Sequence, residues 1–267
     1  MVLISVIMGV YNCKNISLLY ESVNSIIGQT ESNWEIIICD DGSTDNTLNE
    51  LRKIEKLDSR IKVITYEKNH GLSYALNECI KVSKGKYIAR QDDDDISLPN
   101  RFEIQLEFFK RHPEYSIVGS KAIVFDDNGE WGEYDVEERP TINSFLWTNP
   151  FAHPTVMFDA VALKSLGGYR VSKETRRCED YDLFMRMYAK GYIGYNIQNN
   201  LYKYKIINGN EKYRPMKYRI DEAIVRWKGY KQLNLFPKGI FFVLKPIAIG
   251  IIPQKIFKIV RIKVYRK

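Results

Sequence analysis

Four short apolar runs, Leu3–Met8, Trp34–Cys39, Lys62–Tyr66 and Lys86–Ala89, recur through the first hundred residues, and a segment of different period separates each from the next. Leu19, Val23, Ile26 and Ile27 fall on one helical face, as do Leu48, Leu51 and Ile54, and then Leu72, Ala75, Leu76, Cys79 and Ile80. Runs of this length read as buried strands and the intervening pattern as amphipathic helices. Ser43 or Asp45 can cap the second helix, and Pro99 suits the first turn of a helix running through Phe109. A β-α-β-α-β-α-β order predicts a parallel sheet covered by helices on both faces and joined by right-handed crossovers. Ligands of such sheets bind beyond the carboxyl ends of the strands.

Three polar clusters stand at those ends: Gly9-Val10-Tyr11-Asn12, Asp40-Asp41-Gly42-Ser43 and Asp92-Asp93-Asp94-Asp95. Four adjacent carboxylates repel one another and need a cation. A hard divalent ion, Mn²⁺ or Mg²⁺, takes oxygen ligands, often one or two carboxylates completed by substrate phosphates and water. In an extended stretch Asp92 and Asp94 would face one ion together, Asp93 would point elsewhere, and Asp95 would cap the helix that Pro99 begins. The bland alternative is a solvated acidic loop, but the run is wedged between a buried strand and an amphipathic helix. In the second cluster a turn with a helix cap accounts for Gly42 and Ser43 without requiring two acids. A carboxylate there can accept from the N3–H of a uracil ring, and Tyr11 can stack on a base. The chain has neither a P-loop nor a G-x-G-x-x-G after its first strand, so a metal would carry the diphosphate charge.

Farther along, Tyr115–Tyr134 reads as a strand and hairpin turned at Asp127-Asn128-Gly129, Tyr181–Lys190 as a helix and Tyr192–Ile207 as strand. With 267 residues, 45% of them hydrophobic, the chain can bury a large core. Its four cysteines have no C-x-x-C spacing, which argues against a zinc knuckle or a disulfide framework and for a reducing compartment. Met1–Ser5 leads straight into a strand without the marks of a secretory signal. The net charge of +7 is uneven, because no acid follows Glu222 while Lys and Arg recur to Lys267. Such asymmetry implies an anionic partner. From Gly239 the apolar residues alternate with Lys and Arg and are interrupted by Lys245 and Pro246, too soon for a membrane span of ~20 residues. The segment is expected to lie on an anionic cytoplasmic leaflet, the alternative being a helix packed on the body with its basic face in water. Its isoleucine-rich character makes nucleic acid an unlikely partner.

The segments "ISVIMGVYN" at 4–12, "IIICDDGSTDNT" at 36–47, "NHGLSYALN" at 69–77, "GKYIARQDDDDISLPNRFEIQ" at 85–105, "HPTVMF" at 153–158 and "CEDYDLFMRM" at 178–187 resemble, in this order, the family 2 glycosyltransferases. The resemblance covers roughly residues 1–210 and implies the α/β GT-A fold, with a mostly parallel Rossmann-like sheet. It implies a catalytic domain over 1–210, with a nucleotide-binding half at 1–112, an acceptor-binding half at 113–210, and a basic helical extension at 211–267. Val10, Tyr11 and Asp41 would line the uracil and ribose pocket with Asp40 beside them, and Asn69, Gly71 and Arg90 would serve the nucleotide-sugar. Asp92-Asp93-Asp94 matches the family's DxD element: Asp94 would bind the metal directly, with Asp92 on the metal or, like Asp93, on ribose or metal-bound water. Asp180 would be the catalytic base of an inverting transfer from a UDP-sugar to a glycan or lipid-linked acceptor, as in surface-polysaccharide synthesis. Acids at a helix start also cap helices, which is the structural alternative for Glu179 and Asp180. Glu179, His153 and Trp147 are acceptor-side candidates, the histidine and the tryptophan having ordinary core roles as alternatives.

The chain departs from the family where many relatives carry a Tyr-Arg-x-His-like segment. It reads Leu201-Tyr202-Lys203-Tyr204-Lys205-Ile206-Ile207-Asn208 there, so Lys203 or Lys205 is expected to neutralise the diphosphate. A non-catalytic nucleotide-sugar binder with a lipid- or nucleic-acid-binding tail would not need Glu179-Asp180. A nucleotidyltransferase would need a glycine-rich basic first loop, which "GVYNCKN" is not.

Overall fold

Odd and even residues of the first strand face different layers. In β1 (Ile4–Val10), Ile4, Val6, Met8 and Val10 join one apolar cluster and Ile7 another, as the two-residue period of a strand requires. β2 (Trp34–Asp40) divides alike, with Ile36 and Ile38 in the first cluster and Ile37 and Cys39 in the second. α1 (Ile16–Ile27), α2 (Thr47–Ile54) and α4 (Arg101–Arg111) supply Leu19, Val23, Leu51, Phe102 and Leu106 to the first cluster. α3 (Leu72–Val82) supplies Ala75, Leu76, Cys79 and Ile80 to the second. Each such aliphatic side chain, fully buried, contributes roughly 1.5–3 kcal/mol. Gly9 lets α3 lie close against β1, since a Cβ there would lie 2.9 Å from Leu72 Cδ1.

The structure is a computed structural model that describes residues 2–207 and 215–251. β3 (Ile61–Thr65) and β4 (Tyr87–Arg90) complete a parallel unit ordered β3-β2-β1-β4. Beyond it the sheet becomes mixed. β8 (Met157–Asp159) runs antiparallel to both β4 and β6 (Tyr115–Asp126). β6 pairs in parallel with the long β9 (Ile193–Lys205), and β9 carries the two-residue β5 (Ile96–Ser97) on its other side. β7 (Gly129–Tyr134) forms a hairpin with β6. Its turn is the Asp-Asn-Gly one expected, with Gly129 at φ +116°. The result is one continuous sheet in the order β3-β2-β1-β4-β8-β6-β9-β5.

After α5 (Ala160–Ser165) and α6 (Glu179–Ala189), two helices close the lower layer: α7 (Met216–Gln232) and α8 (Ile240–Ile251). Ala223, Val225, Tyr230 and Val243 of this pair are in the same core cluster as Phe184 and Met187 of α6. Arg226 donates to the Leu146 carbonyl (3.1 Å) and pairs with Glu222 (3.0 Å), and Gly229 lies against Met185. The segment from Gly239 is thus in part a helix seated on the body. Its residues 252–267, which include much of the basic run, lie outside the described residues. Among the described residues no helix is long and apolar enough to cross a membrane.

Candidate active site

The loops after β1, β2 and β3 are clipped to one another. Val10 ends β1 with its side chain buried, and its carbonyl accepts from Asp41 N (2.8 Å). Tyr11, the next residue, is 46% exposed, so its ring is available to a ligand. Asn12 takes a left-handed φ of +46° and bonds the second loop three times, its N–H donating to Ser43 Oγ (3.0 Å), its Nδ2 to Thr44 Oγ1 (3.3 Å) and its Oδ1 accepting from Thr44 N (2.9 Å). Gly42, at φ +67°, lets that loop pass the third one, where a Cβ would meet the Lys68 carbonyl carbon at 2.6 Å.

Asp40 and Asp41 are both buried. Asp40 accepts from Thr65 Oγ1 (2.8 Å) and Ser43 N (3.3 Å). Asp41 accepts from the Tyr66 hydroxyl (2.6 Å), Asn69 Nδ2 (2.8 Å), His70 N (2.8 Å) and Gly71 N (2.8 Å). An ionised carboxylate has about four acceptor directions, and these four donors take them. Asp41 therefore organises residues 66–71, and a uracil N3–H would have to share it. Tyr66 went unnoticed in the sequence because nothing local marks a tyrosine as the partner of a distant acid.

At the end of β4 the acidic run has a buried cation. Arg90 is fully enclosed, donates to the Gln91 carbonyl, and pairs with Asp92. Its place on the nucleotide-sugar side is thus reached through Asp92. The run does not stay extended: Asp93 and Asp94 form a turn directly after β4, so the alternation expected to aim Asp92 and Asp94 alike does not apply. Asp95 does not cap α4, whose N-terminal flank is Asn100. It is buried, and its Oδ1 accepts from Lys205 N (2.7 Å) across the sheet. Beneath the turn, Gln91 donates to Ser22 Oγ (3.0 Å) and the Asp95 carbonyl (2.9 Å), while Arg101 donates to the Arg90 carbonyl (2.9 Å). Lys203 and Lys205 pair instead with Glu130 (2.7 Å) and Asp127 (2.8 Å), acids of the β6-β7 hairpin. Lys205 also acts on Asp94, so it stands within electrostatic reach of the acidic turn.

Arg90 and, beside Asp94, Lys205 are the cations that act on this run, and they leave charge uncompensated. Burial, then Asp94 and Asp92, push the Asp93 carboxyl up to about 7, and Asp94 is raised by withdrawal from water and by Asp92. These are hard oxygen donors whose ionisation a divalent cation would favour, so the donor set fits Mn²⁺ or Mg²⁺. Among the described residues no three His, Cys, Asp or Glu converge as a metal cage. A site completed by substrate phosphates needs none.

Glu179 and Asp180 open α6. Burial and then Asp180 raise the Glu179 carboxyl to about 7. Asp180 Oδ2 accepts from Asn149 Nδ2 (2.7 Å), and Oδ1 lies 2.8 Å from Tyr181 N. Two phenols relate this pair to the acidic turn. Tyr204 is raised by burial and then by acids that include Asp95, Asp92 and Asp180, and Tyr169 by burial and by Asp180, Glu179 and Asp92. The acidic run and the Glu-Asp pair therefore share one electrostatic neighbourhood. His153 bonds the Tyr169 hydroxyl (2.7 Å) and is held well below the usual histidine range by burial and by Arg90, a neutral packing role.

Two clefts adjoin the Glu-Asp pair. One, of about 620 Å³, is lined by Asn69, His70, Gly71, Glu179 and three basic residues, Lys173, Arg176 and Arg177. The other, of about 530 Å³, is lined by Trp147 and by Asn149, the partner of Asp180. Nothing local marks Asn149, which sits in an unpatterned stretch before Pro150.

With this geometry the comparisons with known proteins agree. The profile described as Glycosyl transferase family 2 matches residues 5–163. The chain belongs to glycosyltransferase family 2. The family relationship extends well past the profile: EpsE of Bacillus subtilis, which carries a provisional glycosyltransferase name, is 39% identical over 254 residues, covering 95% of this chain and 91% of that protein. A family relative from Escherichia coli, named UDP-Gal:alpha-D-GlcNAc-diphosphoundecaprenol beta-1,3-galactosyltransferase, is 30% identical over 98% of this chain and 96% of its own length. The crystal structure of Staphylococcus aureus TarS 1-349 in complex with UDP-GlcNAc superposes with a TM-score of 0.70 at 18% identity, over 97% of this chain and 79% of that one. That likeness establishes the GT-A fold, and this family 2 member is a glycosyltransferase.

Proposed function

We propose that the enzyme transfers a hexose or N-acetylhexosamine from a UDP-sugar to a hydroxyl of a glycan or lipid-linked acceptor in the synthesis of a surface polysaccharide, with inversion at the anomeric carbon. The observation that carries this reading is the held carboxylate of Asp180, tied through Oδ2 to Asn149 at 2.7 Å and in the same neighbourhood as the DxD acids. The names of the relatives support the acceptor class, since the Escherichia coli galactosyltransferase is named for a diphosphoundecaprenol acceptor. TarS, bound to UDP-GlcNAc, supports the donor class.

In this mechanism Tyr11 stacks on the uracil, and Asn69 and Gly71, held by Asp41, frame the nucleotide. Asp94 with Asp92 would hold Mn²⁺ or Mg²⁺, which when bound offsets the charge growing on the departing diphosphate. Asp180 accepts the proton of the acceptor hydroxyl as that oxygen bonds to the anomeric carbon. The bond to UDP breaks, and its electron pair leaves on the diphosphate oxygen. Asn149 keeps the receiving oxygen aimed. A base of this kind contributes about 10²–10⁴-fold. Asp180→Asn is therefore expected to lose at least two orders of magnitude in UDP release from the preferred UDP-sugar while binding UDP normally. Near-native transfer by Asp180→Asn would remove the assignment.

The same reading places the protein on the inner face of the cell membrane. α7 exposes Ile220, Ile224 and Trp227, and α8 exposes Phe241 and Leu244, in a part of the chain that carries Lys228, Lys231 and Lys238 and no acid after Glu222. Apolar side chains beside lysines suit an anionic bilayer surface. Co-sedimentation with anionic but not neutral vesicles is the expected result, and indifference to both would refute the placement.

A further inference from the structure

The two clefts beside the Glu-Asp pair differ in charge. The wall with Lys173, Arg176 and Arg177 suits a diphosphate. The other wall carries two acids, Asp135 and Glu137, with Tyr134, Trp147, Asn149 and Lys245. Asp135 is paired with Lys121 at 3.0 Å and Glu137 balances Lys245, so this wall has no excess of positive charge for a diphosphate, and Glu137 offers acceptors to sugar hydroxyls. Trp147 is 64% exposed, so its ring is open to a ligand. Its ring is braced edge-on by Phe242 at 4.9 Å between centroids. Lys245 holds the segment from the same helix, donating to the Trp147 carbonyl at 2.5 Å. A flat ring set among hydrogen-bonding groups matches a pyranose, whose C–H face is apolar and whose edge is polar.

We infer that this cleft is the acceptor-sugar subsite: it takes a neutral pyranose ring stacked on Trp147, with its walls completed by α8. The inference rests on the transferase reading above and adds the place and chemistry of the acceptor. Asn149 fixes the relation to catalysis, because it lines the cleft and donates to Asp180 at 2.7 Å. A sugar seated there is therefore one side chain away from the base. α8 thereby belongs to the site: Lys245 and Phe242 hold the stacking ring from a helix that follows the family-profile segment by more than seventy residues.

The test uses the full chain saturated with UDP and Mg²⁺, which is diamagnetic, and methyl glycosides of glucose, galactose and N-acetylglucosamine as probes. Saturation-transfer NMR reads glycoside binding, and calorimetry on the same samples reads UDP binding. At least one glycoside is expected to receive saturation from the wild type. Trp147→Ala should weaken that binding about fivefold or more, Trp147→Phe should largely restore it, and UDP affinity should be the same in all three. No transfer to any glycoside, or unchanged binding by Trp147→Ala, would overturn the subsite. Absence of UDP binding in the wild type, with glycoside binding intact and dependent on Trp147, would instead strike the donor reading and leave the subsite standing.

Discussion

Replacing Asp41 by asparagine changes one atom and tests how the nucleotide loops are held. In the wild type, four donors reach the Asp41 carboxylate at 2.6–2.8 Å, two of them backbone N–H groups. Asparagine keeps a single acceptor oxygen. Its NH₂ must face either the Asn69 and Gly71 donors or the Tyr66 and His70 donors. Tyr66 can turn its hydroxyl and accept, and the exposed Asn69 can turn to water, but a backbone N–H can do neither. One backbone donor is left unpaired at a cost of ~1–3 kcal/mol, and the charge assistance of the others is lost. The expected destabilisation is about 2–4 kcal/mol. Urea unfolding followed by circular dichroism reads it as a lower midpoint with unchanged slope. UDP affinity should fall too, because residues 69–71 line the cleft. A loss below about 0.5 kcal/mol, the range of ordinary surface substitutions, would show that the loop does not depend on this carboxylate.

Two further outcomes follow from buried charge. Arg90→Met removes the cation under the acidic turn, and breaking a buried pair of this kind costs about 3–5 kcal/mol; a midpoint in urea equal to that of the wild type would show that Asp92 does not depend on Arg90. Glu179, raised from 4.5 to about 7 by burial and Asp180, binds its proton more tightly folded than unfolded. Its protonated form favours the fold below pH ~4.5, and that contribution is lost as pH rises toward ~7, on the order of 3 kcal/mol. Glu179→Gln should flatten the thermal stability profile across that window, and an unchanged slope would contradict the assignment.

The first four strands and their helices were legible because their apolar residues keep one period for a whole element, as Ile4, Val6, Met8 and Val10 do in β1. β5 and β8 were not, since two or three residues carry no period. The stretch 211–267 is expected to be helical, but the packed face of α7 escaped because it buries Arg219, Asp221 and Arg226 beside its apolar residues, so its inward face does not look apolar. In the site, the acids and the exposed Tyr11 were readable from strand ends. Their directions were not: the run 92–95 bends where a continuing strand was assumed, and Asp95 finds its partner at Lys205, more than a hundred residues away. Asn149 and Tyr66 act only through partners brought by the fold, which no local pattern records.

β8 bears on how the enzyme moves. It is hydrogen-bonded to β4 of the first half and β6 of the second, so the halves cannot swing about a hinge without tearing a ladder, at about 1 kcal/mol for each bond broken. Sequestering the substrates from water must then fall to loops such as 171–177, where Arg177 already sits at a left-handed φ of +63°. Dye pairs spanning α2 and α5 should report one distance with and without UDP, while hydrogen exchange slows in the loop. Turnover in this fold would be paced by the ordering of a few residues rather than by the travel of a domain.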